Sequence, residues 1–212
     1  MRRSCVDDLH RLNTETWQWR PVMTRLAPLP CKSAGLCLAE ASTDGAPPEL
    51  CVVMFGGAPS GDAPYSNDLY TLDAASLSGD RGVWRKRRVT GTPPCGRAGH
   101  TMTAVSSTRL VVFGGADQSN TLMNDVHALD TDTMTWTRVE VHGRPPTARQ
   151  NHTTNLLPAL LVVGGVAQLN NQLHFPTDLF GFDLATNTWS PIRTGFLYPA
   201  PRYGHTTVVV PS

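Results

Sequence analysis

The chain has 212 residues, with 18 Lys and Arg against 17 Asp and Glu, so its formal net charge is +1. That balance excludes a global electrostatic pull onto nucleic acid or an anionic membrane, and any partner must be recognised locally. The 18 Gly and 17 Pro are scattered among short apolar runs, which excludes a disordered tract and favours an all-β chain with many turns.

The N-terminus carries Asp7 and Asp8 where a secretory leader needs its apolar segment. The longest apolar run, 156–163, falls far below the roughly 20 residues of a membrane helix, so a soluble protein is expected. Five cysteines (Cys5, Cys31, Cys37, Cys51, Cys95) are odd in number and lack a Cys-x-x-Cys pair. No disulfide framework or zinc knuckle is expected, and a reducing setting, the cytoplasm or the nucleus, fits best.

Along the chain, residues 1–27 hold the strand Asp8-Leu9-His10-Arg11-Leu12-Asn13 and then Trp19. Residues 28–91 start with Cys31-Lys32-Ser33-Ala34-Gly35-Leu36, read as an eroded copy of Cys95 to His100. An apolar run ending in Gly56-Gly57 follows, then Asp68-Leu69-Tyr70-Thr71-Leu72-Asp73, and Trp84 after five extra residues within 74–82. The basic run Arg85-Lys86-Arg87-Arg88 is read as a solvated strand edge. Residues 92–143 bring Arg97 and His100, an apolar run ending in Gly114-Gly115, the Asp125 to Asp130 strand, Thr133 and Trp136. Residues 144–195 repeat this with Arg149, His152, Gly164-Gly165, Asp178 to Asp183, Thr186 and Trp189. Residues 196–212 supply one more leading strand, with Arg202 and His205.

The glycine pairs recur at intervals of 58 and 50 residues, and four element types keep a constant order. Four strands in about 50 residues are a propeller blade in length and turn spacing. On these motifs the chain closely resembles the kelch repeats. The resemblance implies an all-β, kelch-type β-propeller with about three complete four-stranded blades plus partial blades at both ends. Such an incomplete propeller is expected to be a fragment of a longer protein or to self-associate through its unclosed blades.

The repeated residues read first as structure. Apolar runs without alternation suit strands covered on both faces. The paired glycines suit a turn with φ > 0. Asp130 with Thr133, and Asp183 with Thr186, suit side-chain bonds to hairpin amides. Trp19, Trp136 and Trp189 are expected in equivalent buried positions, with Trp84 displaced by its insertion. His100, His152 and His205 recur in register too far apart to share one metal ion, so they are read as structural hydrogen-bonding groups.

Hairpins of an antiparallel blade alternate between its two ends. The loops 58–67, 116–124 and 166–177 therefore share a face with the connections 91–96, 143–148 and 195–201. Tyr65, Asp117, Gln118, Asn120, Gln168, Asn171, His174, Phe175 and Tyr198 lie in these segments. With Arg97, Arg149 and Arg202 they form the candidate partner-binding set for a protein or peptide ligand. The three arginines have two readings: the resemblance implies that they grip acidic peptides, and the structural reading is that they tie neighbouring blades together. The resemblance also implies, as an alternative function, a fragment of a kelch-type propeller enzyme: a metal-dependent oxidase, a specifier protein or a sugar mutarotase. The Glu-x-x-x-Asp-x-x-x-His pattern of the specifier proteins, a Gly-x-Ser-x-Gly elbow and an HExxH helix are all lacking. The expectation is a non-catalytic interaction module without metal or cofactor.

Overall fold

The computed structural model describes residues 8–42, 47–79, 81–170, 172–195 and 199–210. The protein is an incomplete β-propeller. The first complete blade holds Gly35–Ala41, Glu49–Phe55, Leu69–Asp73 and Arg81–Lys86. The second holds Thr101–Ala104, Arg109–Phe113, Val126–Asp130 and Thr135–Arg138. The third holds Thr153–Leu156, Leu160–Val163, Leu179–Asp183 and Thr188–Ile192. Within each blade, successive strands pair antiparallel. Ahead of them, Leu9–Asn13 and Gln18–Arg25 form a two-stranded partial blade.

The second strand of the second blade shows why its apolar run does not alternate. Leu110 and Val112 pack towards the first blade with Phe55 and Trp136, whereas Val111 and Phe113 pack towards the third with Val162 and Trp189. Both faces of the sheet are core over 110–113, so after the exposed Arg109 the strand is wholly apolar. Neighbouring blades are also joined at their outer strands. Met23–Arg25, Thr90–Gly91 and His142–Gly143 each lie parallel to the fourth strand of the next blade.

The glycine pairs form the inner inter-blade joint. Gly114 and Gly115 have φ of 66° and 96°. The Gly115 amide donates to the Arg149 carbonyl at 2.9 Å, and a Cβ on Gly114 would stand 2.9 Å from the His152 ring. Side chains are excluded here both by conformation and by the next blade's approach. In the same way the Gly57 and Gly165 amides donate to the carbonyls of Arg97 and Arg202 at 2.8 and 2.9 Å.

Four expectations need correction. The first concerns Trp84, which pairs with Leu72 in the register of Trp136 with Leu129 and Trp189 with Phe182. It is buried, because the extra residues coil into a 3-10 turn, Ala75–Ser78, and leave the register intact. Trp19 keeps the same register against Leu12 yet is 66% exposed. Trp136 packs on Phe55 of the preceding blade with centroids 5.0 Å apart, and Trp189 on Phe113 at 4.9 Å. No described strand offers Trp19 such a phenylalanine.

Thirdly, the eroded copy aligns two residues away from the sequence reading. Gly35 pairs with Phe55 as Thr101 pairs with Phe113, and the left-handed residue is Ser33 as it is Gly99, Asn151 and Gly204. Cys31 therefore stands where Arg97 and Arg149 stand, and Ala34 where His100 and His152 stand. Lastly, none of the described residues 199–210 lies in a strand. The segment still takes a leading-strand position: the Gly204 amide donates to the Asn151 carbonyl at 2.9 Å. No described second strand pairs with it.

Candidate functional site

The loops after the second strands meet the connections into the following blades, as strand direction requires. The Arg97 amide donates to the Ser66 carbonyl at 3.2 Å and the Arg149 amide to the Met123 carbonyl at 3.1 Å. Asn124 Nδ2 donates to the Pro146 carbonyl at 3.2 Å. Phe175 stacks on Tyr203 with centroids 5.6 Å apart. One end of the propeller is thus a continuous surface built from both loop groups.

Arg97 and Arg149 are withdrawn from the peptide-gripping set. They are 1% and 0% exposed, and their guanidinium groups are engaged within their own blades. Arg97 donates to both Asp125 carboxylate oxygens at 2.7 and 2.9 Å, and also to the carbonyls of Gly114 and Cys95. Arg149 makes the same bidentate bond to Asp178 at 2.8 and 3.1 Å, and reaches the carbonyls of Gly164 and Thr147. Such fork-to-fork pairing fixes the first strand to the third. The carbonyls of these arginines, through the glycine amides, make the bond between blades. Arg202 is exposed, with Nε donating to the Ala200 carbonyl at 2.9 Å.

Charge on this network is fixed. Burial would raise the Asp125 carboxyl, but hydrogen bonds from Arg97 and from His127 Nε2 outweigh it and hold the group well below the usual carboxylate range. Burial, reinforced by Arg97, depresses His100 to about 3, and burial with Arg149 does the same to His152. Both imidazoles are neutral. Each of the later two histidines shares a hydrogen bond with a threonine one blade back: His152 Nε2 with Thr101 Oγ1 at 3.0 Å, His205 Nε2 with Thr153 Oγ1 at 3.1 Å. Gly35 occupies the threonine's place facing His100, whose Nε2 has no side-chain hydrogen-bond partner among the described residues.

The remaining candidates divide into supports and exposed groups. Asp117 Oδ1 accepts the amides of Ser119 and Thr121 at 2.9 Å each, so it holds its own turn. Asn120 takes the left-handed position of that turn and donates its amide to the Asp117 carbonyl. Tyr65 is half-buried, and Gln118 is exposed. Gln168 and His174 lie on opposite faces of the hairpin of Val166–Leu169 with Gln172–His174, and Phe175 follows it directly. Asn171 and Tyr198 lie outside the described residues.

Sequence reasoning missed Leu169, Leu173 and Tyr203, all exposed on or beside this hairpin. The alternation of Gln168, Leu169, Leu173 and His174 about a turn was the available signal. It also missed the acids that engage the arginines, although Asp125 follows Arg97 by 28 residues and Asp178 follows Arg149 by 29.

Comparison with known proteins agrees with this architecture. Residues 49–212 match the KLHDC2/KLHL20/DRC7 Kelch-repeats domain. The chain is 31% identical over 97% of its length to acyl-CoA-binding domain-containing protein 5 of Arabidopsis thaliana, and spans 31% of that protein. It is 32% identical over 76% of its length to the mouse Rab9 effector protein with kelch motifs, covering 39% of it. It is 30% identical over 97% of its length to human host cell factor 2, covering 26% of it. The chain thus spans well under half the length of these relatives. The solved structure of YjhT superposes with a TM-score of 0.67 at 14% identity, over 90% of this chain and 60% of that one, which is a likeness of fold. The chain belongs to the kelch-repeat family.

Proposed function

We infer that the chain is a non-catalytic module that binds a protein or peptide on the loop face. The observation that carries this reading is the hairpin of Val166–Leu169 with Gln172–His174, on whose paired backbone Leu169 and Leu173 are exposed, followed by the Phe175–Tyr203 stack. Apolar and aromatic groups on a paired element, with Gln168 opposite Leu173 and Gln172 opposite Leu169, are the composition of a recognition surface. The recurrent polar groups of the second and third blades serve the fold: Arg97 and Arg149 bind Asp125 and Asp178, and His152 and His205 share hydrogen bonds with threonine hydroxyls. One relative is by its own name an effector of Rab9, which supports a protein partner in general terms.

The test is capture of binding proteins from an extract by the wild-type chain and by Leu169→Ser/Leu173→Ser and Gln118→Ala/Phe175→Ala variants. Loss of capture with an unchanged melt is expected. Capture that survives these changes but disappears when the opposite-face insertions within 41–49 and 74–82 are shortened would move the site to the other end. Of those insertions, residues 43–46 and 80 lie outside the described residues.

A further inference from the structure

The first complete blade keeps a receptor for a guanidinium group and lacks the arginine that fills it in the other two. In the second blade the Arg97 guanidinium is held by Asp125, the Gly114 carbonyl and the Cys95 carbonyl. In the third, Arg149 is held by Asp178, the Gly164 carbonyl and the Thr147 carbonyl. The corresponding residues of the first blade are Asp68, Gly56 and Leu29, and all three line one cavity of about 50 Å³ behind Cys31. The backbone around it is conserved in geometry: the Gly56 amide donates to the Asp68 carbonyl at 3.2 Å as the Gly114 amide does to Asp125 at 3.4 Å. Asp68 is met from solvent by Lys86 at 2.7 Å, but Lys86 is 59% exposed and forms no wall of the cavity.

The cavity shares Pro28, Leu29, Cys31 and Met54 with a wider cleft of about 280 Å³, to which Leu36 and Trp84 add apolar walls. Resting on the reading of the loop face as a partner-binding surface, we propose that this slot receives an arginine side chain of a peptide or protein partner, with an apolar neighbour of that arginine in the cleft. The carboxylate and the glycine carbonyl are set at the positions where the other blades hold the same planar cation. A guanidinium that displaces the exposed Lys86 ammonium from Asp68 therefore finds acceptors in the same register positions as in the other blades, whereas an ammonium cannot span the fork.

The experiment is an amide NMR titration of the whole chain with N-acetyl-arginine amide, with N-acetyl-lysine amide and N-acetyl-citrulline amide as controls. Saturable shifts at Gly56, Ser66 and Asp68 in the millimolar range are expected, weaker by about tenfold or more for both controls. Asp68→Asn should abolish them. Cys31→Arg, which supplies the guanidinium from within, should block the probe and raise the melting temperature by a few degrees. Should that variant fail to fold, Asp68→Asn decides alone. Absence of saturable shifts, or shifts that Asp68→Asn leaves unchanged, overturns the proposal. Partner capture persisting in Asp68→Asn while the hairpin variants lose it would leave the loop-face reading intact and remove only the arginine slot.

Discussion

The second and first complete blades share strand order, register and glycine joint, yet they differ at each polar pin. The second closes Arg97 onto Asp125, and its Thr101 answers His152 of the next blade. The first has Cys31 and Gly35 at those positions and still forms four strands of full length. Apolar packing between blades and the backbone joint are therefore enough to define a blade. The polar side chains fasten a sheet that the core has already placed. Removing a fastener from a blade that has one leaves a buried group stranded, which the first blade avoids by losing the donor and letting Lys86 reach the acid from solvent.

The sharpest break of this comparison is at the core. Trp136→Ala should cost about 3–5 kcal/mol in a denaturant melt, because the indole fills the seam against Phe55. Trp19→Ala, in the same register of an uncovered sheet, should cost less than about 1 kcal/mol. Equal losses would mean that Trp19 is covered in solution.

Arg97→Met comes next. It leaves Asp125 and the Gly114 carbonyl without the guanidinium in a largely buried site, and a loss of about 3 kcal/mol is expected from urea unfolding. Cys31→Met, at the equivalent position, should change stability by less than about 1 kcal/mol. If the two behave alike, the pin is not what distinguishes the blades.

Acid should act through the two neutral histidines. Unfolded histidine titrates near 6.5, whereas His100 and His152 are held at about 3. Between these values the unfolded chain binds more protons, so stability is complete above about pH 6.5 and is lost as the pH falls towards 3. The slope should reach about 1.4 kcal/mol per pH unit for each histidine. Asp125, depressed by Arg97, adds loss in the same direction below its unfolded value. Melting curves from pH 7 to pH 4.5 that do not move would contradict the burial of both rings, and His152→Gln should flatten the slope by about half.

Most of the fold was legible because it is periodic: glycine pairs, leading Asp and closing Trp recur in order, and the chain folds as a kelch-type propeller. The eroded copy was misaligned by two residues because a two-residue slip keeps every side chain on its own face of the strand, so the apolar pattern raises no objection. Only the left-handed position, Ser33 in place of a glycine or asparagine, marks the true register. The arginines were ambiguous for a similar reason. Sequence shows that they recur, but whether a guanidinium faces solvent or an acid 28 residues later is a fact of the folded sheet. The exposure of Trp19 depends on what lies beside its sheet, which its own motif does not encode.

The smallest effect tests the histidine rungs themselves. Thr101 Oγ1 is within 3.0 Å of His152 Nε2, and Thr101→Val keeps the shape while removing the hydroxyl. The joint between the first and second blades shows the outcome in advance, since His100 Nε2 faces Gly35 and has no hydroxyl partner among the described residues. A lost hydrogen bond between neutral groups costs about 1 kcal/mol, and the β-branched valine suits the strand as well as threonine does. Thr101→Val should therefore lower stability by about 1 kcal/mol without altering the unfolding slope. A loss as large as that of Arg97→Met would make the rungs equal to the arginine pins and the absence of a hydroxyl at Gly35 a serious weakness of the joint between the first and second blades. No loss would assign the recurrence of these histidines to their packing on the glycine pairs, where the His152 ring also stands 5.2 Å from Phe113.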